Sequence, residues 1–513
     1  MRRFLPYGLL LATALLVRFI DLGDRPFHHD ESQDAYFSWV FFDRGDYAYQ
    51  PILHGPLRFY LTALMYVVFG DSDFTARLAP ALMGVGIVFL PFLLRRQLGT
   101  MATWTAALML AFGPTYLYFS RFAREDIYIA CINMALLVVT FRMIDKPRRW
   151  HPAAIGALLA LAFGTKETTF ITGFVFVTFL IPAACFKGAR EKLIGVVKSV
   201  GWESIAYGVA AFWLVFALLF TVFFTNPNGL VDGISDGLSY WLGQHEVGRG
   251  GEPWYFYFAV LFGHEWPVLA LALVGAVYAF KRKEMLPLFL VWAFLVSMIV
   301  YSWAGEKFSW LAMHPLMPLL LLAGIGVQWI WSARRNVVRY GGVALVALGC
   351  AYSVYASYLA NAVHRADPKE FLVSTQSSED VRNVAQRVYD IDARVFKRTG
   401  KRLTVNIDSS EGATFPWAWY FRDLGVGYID MKQPGYVPQT QVLVMTDGAK
   451  AVLDPNLAAY EGQQFRFRVW WVRDWKKKFS AEAWLNWFVK RETWNPVGGM
   501  PEWVYVRRDA EAS

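Results

Sequence analysis

Length and composition already restrict the class of protein. The chain has 513 residues, of which 56% are hydrophobic, 17% are aromatic and only 18% are charged. A soluble protein of this size lacks the interior needed to bury so much apolar surface, which excludes a single soluble domain and a disordered chain. The excess apolar surface must face lipid. The three cysteines lie inside apolar stretches, and this placement excludes a disulfide framework and a paired-cysteine metal site.

Eleven apolar stretches are long enough for membrane-spanning helices, which need roughly 17–25 residues. They cover residues 4–20, 78–94, 101–119, 127–144, 152–168, 168–186, 205–225, 256–280, 285–304, 308–331 and 340–360. The sequence therefore predicts an α-helical, multi-pass membrane protein with about 11 transmembrane helices.

The segment 57–70 is apolar but only about half as long as a membrane-spanning helix. If this segment does not cross, the basic clusters at 95–96, 142–149 and 281–283 share one side of the membrane, as the positive-inside rule requires. We therefore place 57–70 as an interfacial helix in the outer loop 21–77. The net charge of +9 then comes from basic clusters that anchor the helices on the cytoplasmic side of the inner membrane, and not from a nucleic-acid site.

Residues 361–513 differ from the rest of the chain, since they contain no long apolar run. Short β-like runs such as 403–407 and 441–445 alternate with helix-like stretches such as 380–398, 447–460 and 481–490. We predict a transmembrane domain at 1–360 and a soluble α/β domain at 361–513. The odd number of crossings places the second domain outside the cytoplasm.

Unusual polar residues collect in the loops predicted to lie on the outer side. They are His29, Asp30 and Glu31, then His54 and Arg58, then Arg121, Arg124 and Asp126, then Lys166 and Glu167, and finally Glu306 and Lys307. Charged residues are costly near a bilayer, about 3 kcal/mol at its centre, and mark functional sites when they occur there. We therefore expect a cavity at the outer membrane boundary, lined by carboxylates and cations.

Such a cavity suits a substrate with a sugar, a phosphate and a lipid tail. A carboxylate can take a proton from an acceptor hydroxyl or stabilise an oxocarbenium-like centre. Lysine and arginine can hold a phosphate and neutralise the charge of a phosphate leaving group. A nucleotide-sugar donor fits less well, since the cavity faces outward and the sequence has no glycine-rich phosphate loop.

Several short motifs, in their order, resemble those of the C-type (GT-C) membrane glycosyltransferases, such as protein O-mannosyltransferases and the lipid A aminoarabinose transferase. The motifs are Asp30-Glu31, Gly55-Pro56-Leu57, Ser120-Arg121 with Asp126, Gly164-Thr165-Lys166, and Glu306-Lys307 before Pro315 and Pro318. The chain is more similar still to the flippase-activity-associated proteins found near archaeal-type N-glycosylation genes. It shares H-G-P-L at 54–57, G-T-K-E at 164–167 and E-K-x-x-W-L-x-x-H-P at 306–315 with that subgroup.

The resemblance covers about residues 20–330 and implies a GT-C fold, a polyprenyl-phosphate sugar donor and inversion at the anomeric carbon. Asp30 is the preferred general base, with Glu31 beside it, and Asp126 is expected to orient the acceptor. The candidates for substrate or phosphate binding are His54, Arg58, Arg121, Arg124, Lys166, Glu167, Glu306 and Lys307. At 54–55, His-Gly replaces the Lys-Pro of the aminoarabinose transferases, so a phosphate contact from that lysine does not carry over.

Structural explanations stay open for these residues. Asp30 and Glu31 can simply favour the start of a helix, and Lys166–Glu167 or Glu306–Lys307 can neutralise each other. No cofactor is required, but His29, Asp30 and His54 are ligand types for a divalent cation, and carboxylate with phosphate can recruit Mg²⁺ or Mn²⁺.

The leading hypothesis is a membrane glycosyltransferase that transfers a sugar from a polyprenyl-phosphate donor to an acceptor on the extracytoplasmic face. The acceptor class stays open between glycan, lipid and protein. The first alternative is a flippase-associated or transport protein for lipid-linked sugars without catalysis. A degenerate scaffold that organises other enzymes is the second alternative.

Overall fold

The computed structural model describes residues 4–185, 187–243, 250–476 and 480–511. The chain divides into two compact units. The first comprises Met1–Leu22 and Phe41–Val363, and the second comprises Gly23–Val40 and His364–Ser513. Part of the predicted outer loop, residues 23–40, therefore belongs to the same unit as the C-terminal part of the chain.

The first unit is built from helices. Their bounds are α1 (Leu5–Phe19), α2 (His29–Arg44, which begins in the second unit), α3 (Leu57–Phe69), α4 (Asp73–Ala76), α5 (Leu78–Phe89), α6 (Arg95–Leu98), α7 (Thr100–Phe112), α8 (Pro114–Ser120), α9 (Asp126–Asp145), α10 (His151–Phe163), α11 (Thr169–Cys185), α12 (Lys187–Phe220), α13 (Gly229–Gly243), α14 (Phe256–Arg282), α15 (Met285–Trp303), α16 (Met313–Trp331) and α17 (Asn336–Tyr358).

Within the described residues, seven helical segments are long and apolar enough to cross a membrane. Each of the eleven predicted stretches overlaps at least one helix, and four of them overlap the shorter apolar helices α1, α7, α10 and α11. Residue 186, the end of the stretch 168–186, lies outside the described residues. The protein is thus a multi-pass membrane protein, and the number of eleven crossings stays a prediction. So does the interfacial position of α3, a helix of 13 residues.

The predicted stretch 101–119 is not one continuous helix, because it is broken between α7 and α8. Gly113 is extended with ψ 136°, as the steric demands of the following Pro114 favour. Proline is tolerated in the first turn of a helix, and α8 starts there. The Thr115 N–H donates to Oε1 of Glu265 at 3.1 Å, so a buried carboxylate from α14 satisfies the new helix start.

A second difference concerns the boundary between the stretches 152–168 and 168–186. The helix α10 ends at Phe163 and α11 begins at Thr169. The intervening residues form a turn, in which the Thr165 and Lys166 N–H groups still donate to the Ala162 carbonyl. Lys166 is therefore carried by a turn and not by a membrane-spanning helix.

Glycines allow α14 and α16 to approach closely, as small residues do between membrane helices. A Cβ atom at Gly275 would lie 2.0 Å from the Leu322 carbonyl oxygen, and one at Gly326 would lie 2.2 Å from the Leu271 carbonyl oxygen. The two backbones therefore pack directly against each other.

The second unit is an α/β fold with a mixed six-stranded sheet in the order β1-β5-β6-β4-β2-β3. Strands β2, β3 and β4 pair in parallel, and the other pairs are antiparallel. The strands are β1 (Gln376–Ser377), β2 (Thr404–Asp408), β3 (Gly425–Ile429), β4 (Val442–Thr446), β5 (Tyr460–Trp470) and β6 (Gly498–Arg507), and the helices are α18 (Glu379–Thr399), α19 (Trp417–Tyr420), α20 (Asp447–Leu453), α21 (Ala481–Lys490) and α22 (Arg508–Glu511).

The α/β character predicted for this part of the chain is confirmed, with one helix shorter than expected. The helix predicted over 447–460 ends as α20 at Leu453, and Tyr460 already begins β5. Pro455 explains the difference, since a proline lacks the backbone N–H that a continued α-helix needs.

Candidate active site

Two distant motifs are joined through their backbones in the first unit. The Gly55 N–H donates to the Thr165 carbonyl at 3.2 Å, and the Leu57 N–H donates to the Gly164 carbonyl at 2.9 Å. A Cβ atom at position 55 would lie 2.2 Å from the carbonyl carbon of Gly164. The glycine of the H-G-P-L motif is therefore required by the close approach of the G-T-K-E motif.

Charged side chains from these motifs and from the turn before α9 form one cluster. This charge cluster consists of His54, Arg58, Arg124, Glu125, Asp126, Lys166 and Glu167, none of which is more than half exposed.

Glu125 lies at the centre of the charge cluster. Its Oε1 lies 2.9 Å from Nη2 of Arg124 and 2.8 Å from Nζ of Lys166. Its Oε2 lies 2.7 Å from Nη1 of Arg58, and Oε1 is also 3.4 Å from Nε2 of His54. One carboxylate thus pairs with cations from three separate segments.

Two further carboxylates complete the cluster. Asp126, the first residue of α9, lies 2.8 Å from Nζ of Lys166 and 3.3 Å from Nε of Arg124. Oε2 of Glu167 lies 2.7 Å from Nδ1 of His54. One structural explanation was that Lys166 and Glu167 neutralise each other. They do not, because each pairs with a residue from another motif.

The shifts in pKa follow from burial opposed by these ion pairs. Burial raises the pKa of Glu125, but Arg124, Lys166, His54 and Arg58 outweigh it and hold the pKa well below its usual value. Burial lowers the pKa of Lys166, but Asp126 and Glu125 raise it above its usual value. The same balance raises the pKa of His54, through Glu167 and Glu125. The ion pairs therefore favour the ionised form of Glu125 and the protonated forms of Lys166 and His54.

The late motif at 306–315 reaches this cluster through an aromatic ring. The Arg124 guanidinium carbon lies 4.1 Å from the centroid of the buried Trp310 ring, a cation–π contact. His314 of the same motif stacks on Tyr301 with a centroid distance of 5.0 Å. Four of the motifs that carry the sequence resemblance thus meet in one place. They are the motifs at 54–57, 120–126, 164–167 and 306–315.

Lys307 and Glu306 have a different status. Lys307 is buried, and its ammonium donates to the Ala304 carbonyl while forming no ion pair with any residue that the structure describes. Burial lowers its pKa. Glu306 is partly exposed and acts on Arg124 only electrostatically. Glu306 and Lys307 form no ion pair with each other within the described ranges, and binding of an anion by Lys307 stays a prediction.

One predicted phosphate ligand lies elsewhere. The Arg121 guanidinium donates to the carbonyls of Val17 and Ile20 at 3.3 and 2.6 Å, at the end of α1. It therefore satisfies carbonyls that a helix end leaves open. Conversely, Glu125, the centre of the charge cluster, was not among the predicted site residues. Its position between Arg124 and Asp126 was the available signal.

Asp30 and Glu31 lie in the first turn of α2, within the second unit. Glu31 is 0% exposed, its Oε1 lies 2.9 Å from Nη2 of Arg25, and its Oε2 accepts from the His28 N–H at 3.1 Å. This is the reach-back contact of a capping box, which makes Glu31 a helix-start residue. The Asp30 side chain is 32% exposed, and its Oδ1 lies 3.9 Å from Nδ1 of His28.

The described residues contain no group of three or more His, Cys, Asp and Glu side chains arranged to hold a metal ion. His54 is committed to Glu167 and Glu125, and His29 Nδ1 lies 2.8 Å from Nη2 of Arg468. Both histidines thus have other partners, and binding of a divalent cation stays a prediction.

The chain is similar to known proteins both in sequence and in fold. Residues 53–200 match the family of dolichyl-phosphate-mannose-protein mannosyltransferases. Over the whole chain, the fold is similar to that of ArnT from Cupriavidus metallidurans bound to undecaprenyl phosphate, with a TM-score of 0.61, 17% identity and 99% of both chains covered. The chain has the fold of this structure.

Two further similarities are informative. The undecaprenyl phosphate-alpha-4-amino-4-deoxy-L-arabinose arabinosyl transferase 1 of Pseudomonas fluorescens is 25% identical over 59% of this chain and 53% of its own length. The chain thus spans about half the length of the curated relatives that it matches. The oligosaccharyltransferase of Archaeoglobus fulgidus has a TM-score of 0.54 at 12% identity, with 89% of this chain and 69% of that chain covered.

Proposed function

We propose that the protein is a membrane glycosyltransferase that moves a sugar from a polyprenyl-phosphate donor to an acceptor hydroxyl or amine on the extracytoplasmic face. The observation that carries this proposal is the charge cluster, in which residues 40, 67 and 113 positions apart in the sequence form ion pairs. Burying a charge costs free energy unless the charge is paired, and apolar side chains of similar size often stabilise a protein as well as a buried ion pair does. A site that binds a phosphate group gives these charged side chains a function.

The proposed reaction is a direct displacement, which inverts the anomeric centre. The acceptor oxygen or nitrogen forms a bond to the anomeric carbon while the bond from that carbon to the phosphate oxygen breaks. The electron pair leaves with the polyprenyl phosphate, and the acceptor proton passes to Asp30. Arg58, Arg124, Lys166 and Lys307 supply the positive charge that stabilises the leaving phosphate.

The carboxylates of the charge cluster have a preparatory role. Glu125 and Asp126 hold Arg124 and Lys166 in fixed positions before the donor arrives, which is the preorganisation that electrostatic catalysis needs. Asp126 is additionally proposed to orient the acceptor. The sugar donors named for the relatives, mannose and 4-amino-4-deoxy-L-arabinose, are the first donors to test.

The test is sugar transfer by the purified full chain in detergent. Undecaprenyl-phosphate mannose and undecaprenyl-phosphate 4-amino-4-deoxyarabinose serve as donors, a membrane lipid and peptidoglycan extract serves as the acceptor, and release of undecaprenyl phosphate is measured. Asp30→Asn is expected to lower turnover by about 10²- to 10⁴-fold, the contribution of a general base. Asp43→Asn, an exposed aspartate on the same helix, is the matched control and should retain activity.

Binding of the donors without any release of undecaprenyl phosphate by the wild-type protein would contradict the proposal and favour a non-catalytic, transport-associated role. Full turnover by Asp30→Asn would remove Asp30 as the base.

A further inference from the structure

The second unit holds the turn that carries Asp30 by several contacts. The Phe27 N–H donates to the Tyr420 hydroxyl at 3.0 Å, and the Phe27 ring meets Trp419 edge-on with a centroid distance of 5.4 Å. The Gln376 side-chain amide donates to the Pro26 carbonyl at 2.9 Å. These partners come from β1 and α19, so residues 26–27 are fixed by the C-terminal part of the chain.

The contact nearest to Asp30 is made by Arg468 on β5. Its Nη2 lies 2.8 Å from Nδ1 of His29, the residue directly before Asp30. Because a guanidinium only donates, His29 must accept with an unprotonated Nδ1. The ring of His29 is further held edge-on against Phe415, with a centroid distance of 5.8 Å.

Arg468 is also held by the loop that follows β2. The same Nη2 lies 2.8 Å from the carbonyl oxygens of Gly412 and Phe415 in that loop, so its two N–H groups are shared among three acceptors. Its guanidinium carbon lies 4.6 Å from the ring centroid of Phe467. A side chain held by two carbonyls and a ring has little freedom, so it can transmit a defined position to its third partner.

The backbone at Asp30 adds a local constraint. The Asp30 N–H donates to Nδ1 of His28 at 3.0 Å, and Glu31 caps the same turn through the His28 N–H. The turn is thus internally rigid, and a shift of His29 moves Asp30 with it. A displacement of about 1 Å can cost roughly 10²-fold in rate when a catalytic group is misplaced.

We infer that Arg468 is a positioning residue for Asp30: the α/β unit sets the orientation of the general base through the Arg468–His29 hydrogen bond. This inference rests on the proposed function for the role of Asp30. It gives the C-terminal part of the chain a direct part in turnover, separate from any part in binding an acceptor.

The experiment uses the full chain in detergent and measures two quantities. Hydrogen exchange of the amides at 28–34 reports the anchoring of the turn, and transfer from the undecaprenyl-phosphate sugar that the wild type uses reports kcat and KM. Arg468→Ala is expected to accelerate exchange at 28–34 and to lower kcat by about 10- to 100-fold with KM for the donor unchanged. Arg468→Lys should recover part of kcat, and Arg466→Ala, an exposed arginine on the same strand, should change neither quantity.

A double-mutant cycle separates positioning from general loss of stability. If the two side chains act through one contact, Arg468→Ala combined with His29→Ala lowers kcat no further than Arg468→Ala alone. Three results would each overturn the inference. They are losses of kcat that multiply in the double variant, a rise in KM without loss of kcat, and unchanged hydrogen exchange at 28–34. A wild-type chain that transfers no sugar would instead refute the proposed function, while the exchange measurement would still test the anchoring.

Discussion

Glu125 is 0% exposed and pairs with basic side chains from three segments of the first unit. Removing one member of such a group costs more than the group contributes when complete, because the remaining charges stay buried without a partner. The same reasoning applies to Lys166, which pairs with Glu125 and Asp126 at once.

Glu125→Gln should therefore lower the free energy of unfolding by about 3–5 kcal/mol, the loss measured when one partner of a buried ion pair is removed. Denaturant or thermal unfolding of the purified protein in detergent measures this loss. Glu203→Gln, at an exposed position on α12, is the control and should leave the stability unchanged. Equal stability of the two variants would show that the charge cluster is open to water.

His54 makes the stability depend on pH. The carboxylates of Glu167 and Glu125 raise its pKa above the ordinary value of 6.5 although burial alone lowers it. A group whose pKa is raised by folding stabilises fully below its ordinary pKa, and this contribution is lost as the pH rises through the folded-state value. The wild type should thus lose thermal stability as the pH is raised above 6.5, whereas His54→Gln should lose less. Parallel curves for both proteins would contradict this.

Among the elements, helix starts and turns decide where the site residues lie. The helices α18 and α21 match the predicted ranges 380–398 and 481–490 closely, because serine caps mark their starts: Ser378 accepts from the Asp380 N–H and Ser480 accepts from the Ala483 N–H. The break between α7 and α8 was not predicted, and the turn at 164–168 was predicted only as a boundary between two apolar stretches. Both depend on a partner far away in the sequence, Glu265 for the first and Gly55 for the second.

The approach of the turns at 54–57 and 164–167 gives a prediction at this scale. Gly55→Ala would place a Cβ atom 2.2 Å from the Gly164 carbonyl carbon, so one turn must move away from the other. We expect a loss of about 1–3 kcal/mol in stability, the usual cost of overpacking, together with loss of donor turnover. Gly173→Ala on α11 is the control, since a Cβ there meets no atom within 4 Å. If Gly55→Ala behaves like Gly173→Ala in unfolding and transfer assays, the turns are not locked together.

At the scale of the whole molecule, the orientation in the membrane follows from the distribution of basic residues. The cluster Lys281–Lys283 ends α14 and is predicted to be cytoplasmic, whereas the C-terminal part of the chain is predicted to lie outside. These placements decide which substrates can reach Asp30, because nucleotide-sugars are confined to the cytoplasm.

Cysteine labelling in intact cells tests the orientation. After replacement of the three native cysteines, Val437→Cys should react with a membrane-impermeant maleimide, since Val437 is 56% exposed. Lys283→Cys should react only after the membrane is permeabilised. Labelling of Lys283→Cys in intact cells, with protection of Val437→Cys, would reverse the topology and exclude transfer on the outer face.

The sequence by itself determined the class of protein, the approximate positions of the apolar helices and the α/β character of 361–513, because apolar length and periodicity are local properties of the chain. It also pointed to every residue of the charge cluster except Glu125, since charges beside apolar segments are costly. Only the tertiary structure showed that Glu125 is the centre of the charge cluster, that Arg121 and Glu31 serve helix ends, and that Arg468 contacts His29. These roles depend on which side chains meet across long sequence separations, and pairing partners and burial are set by packing, which no local pattern encodes.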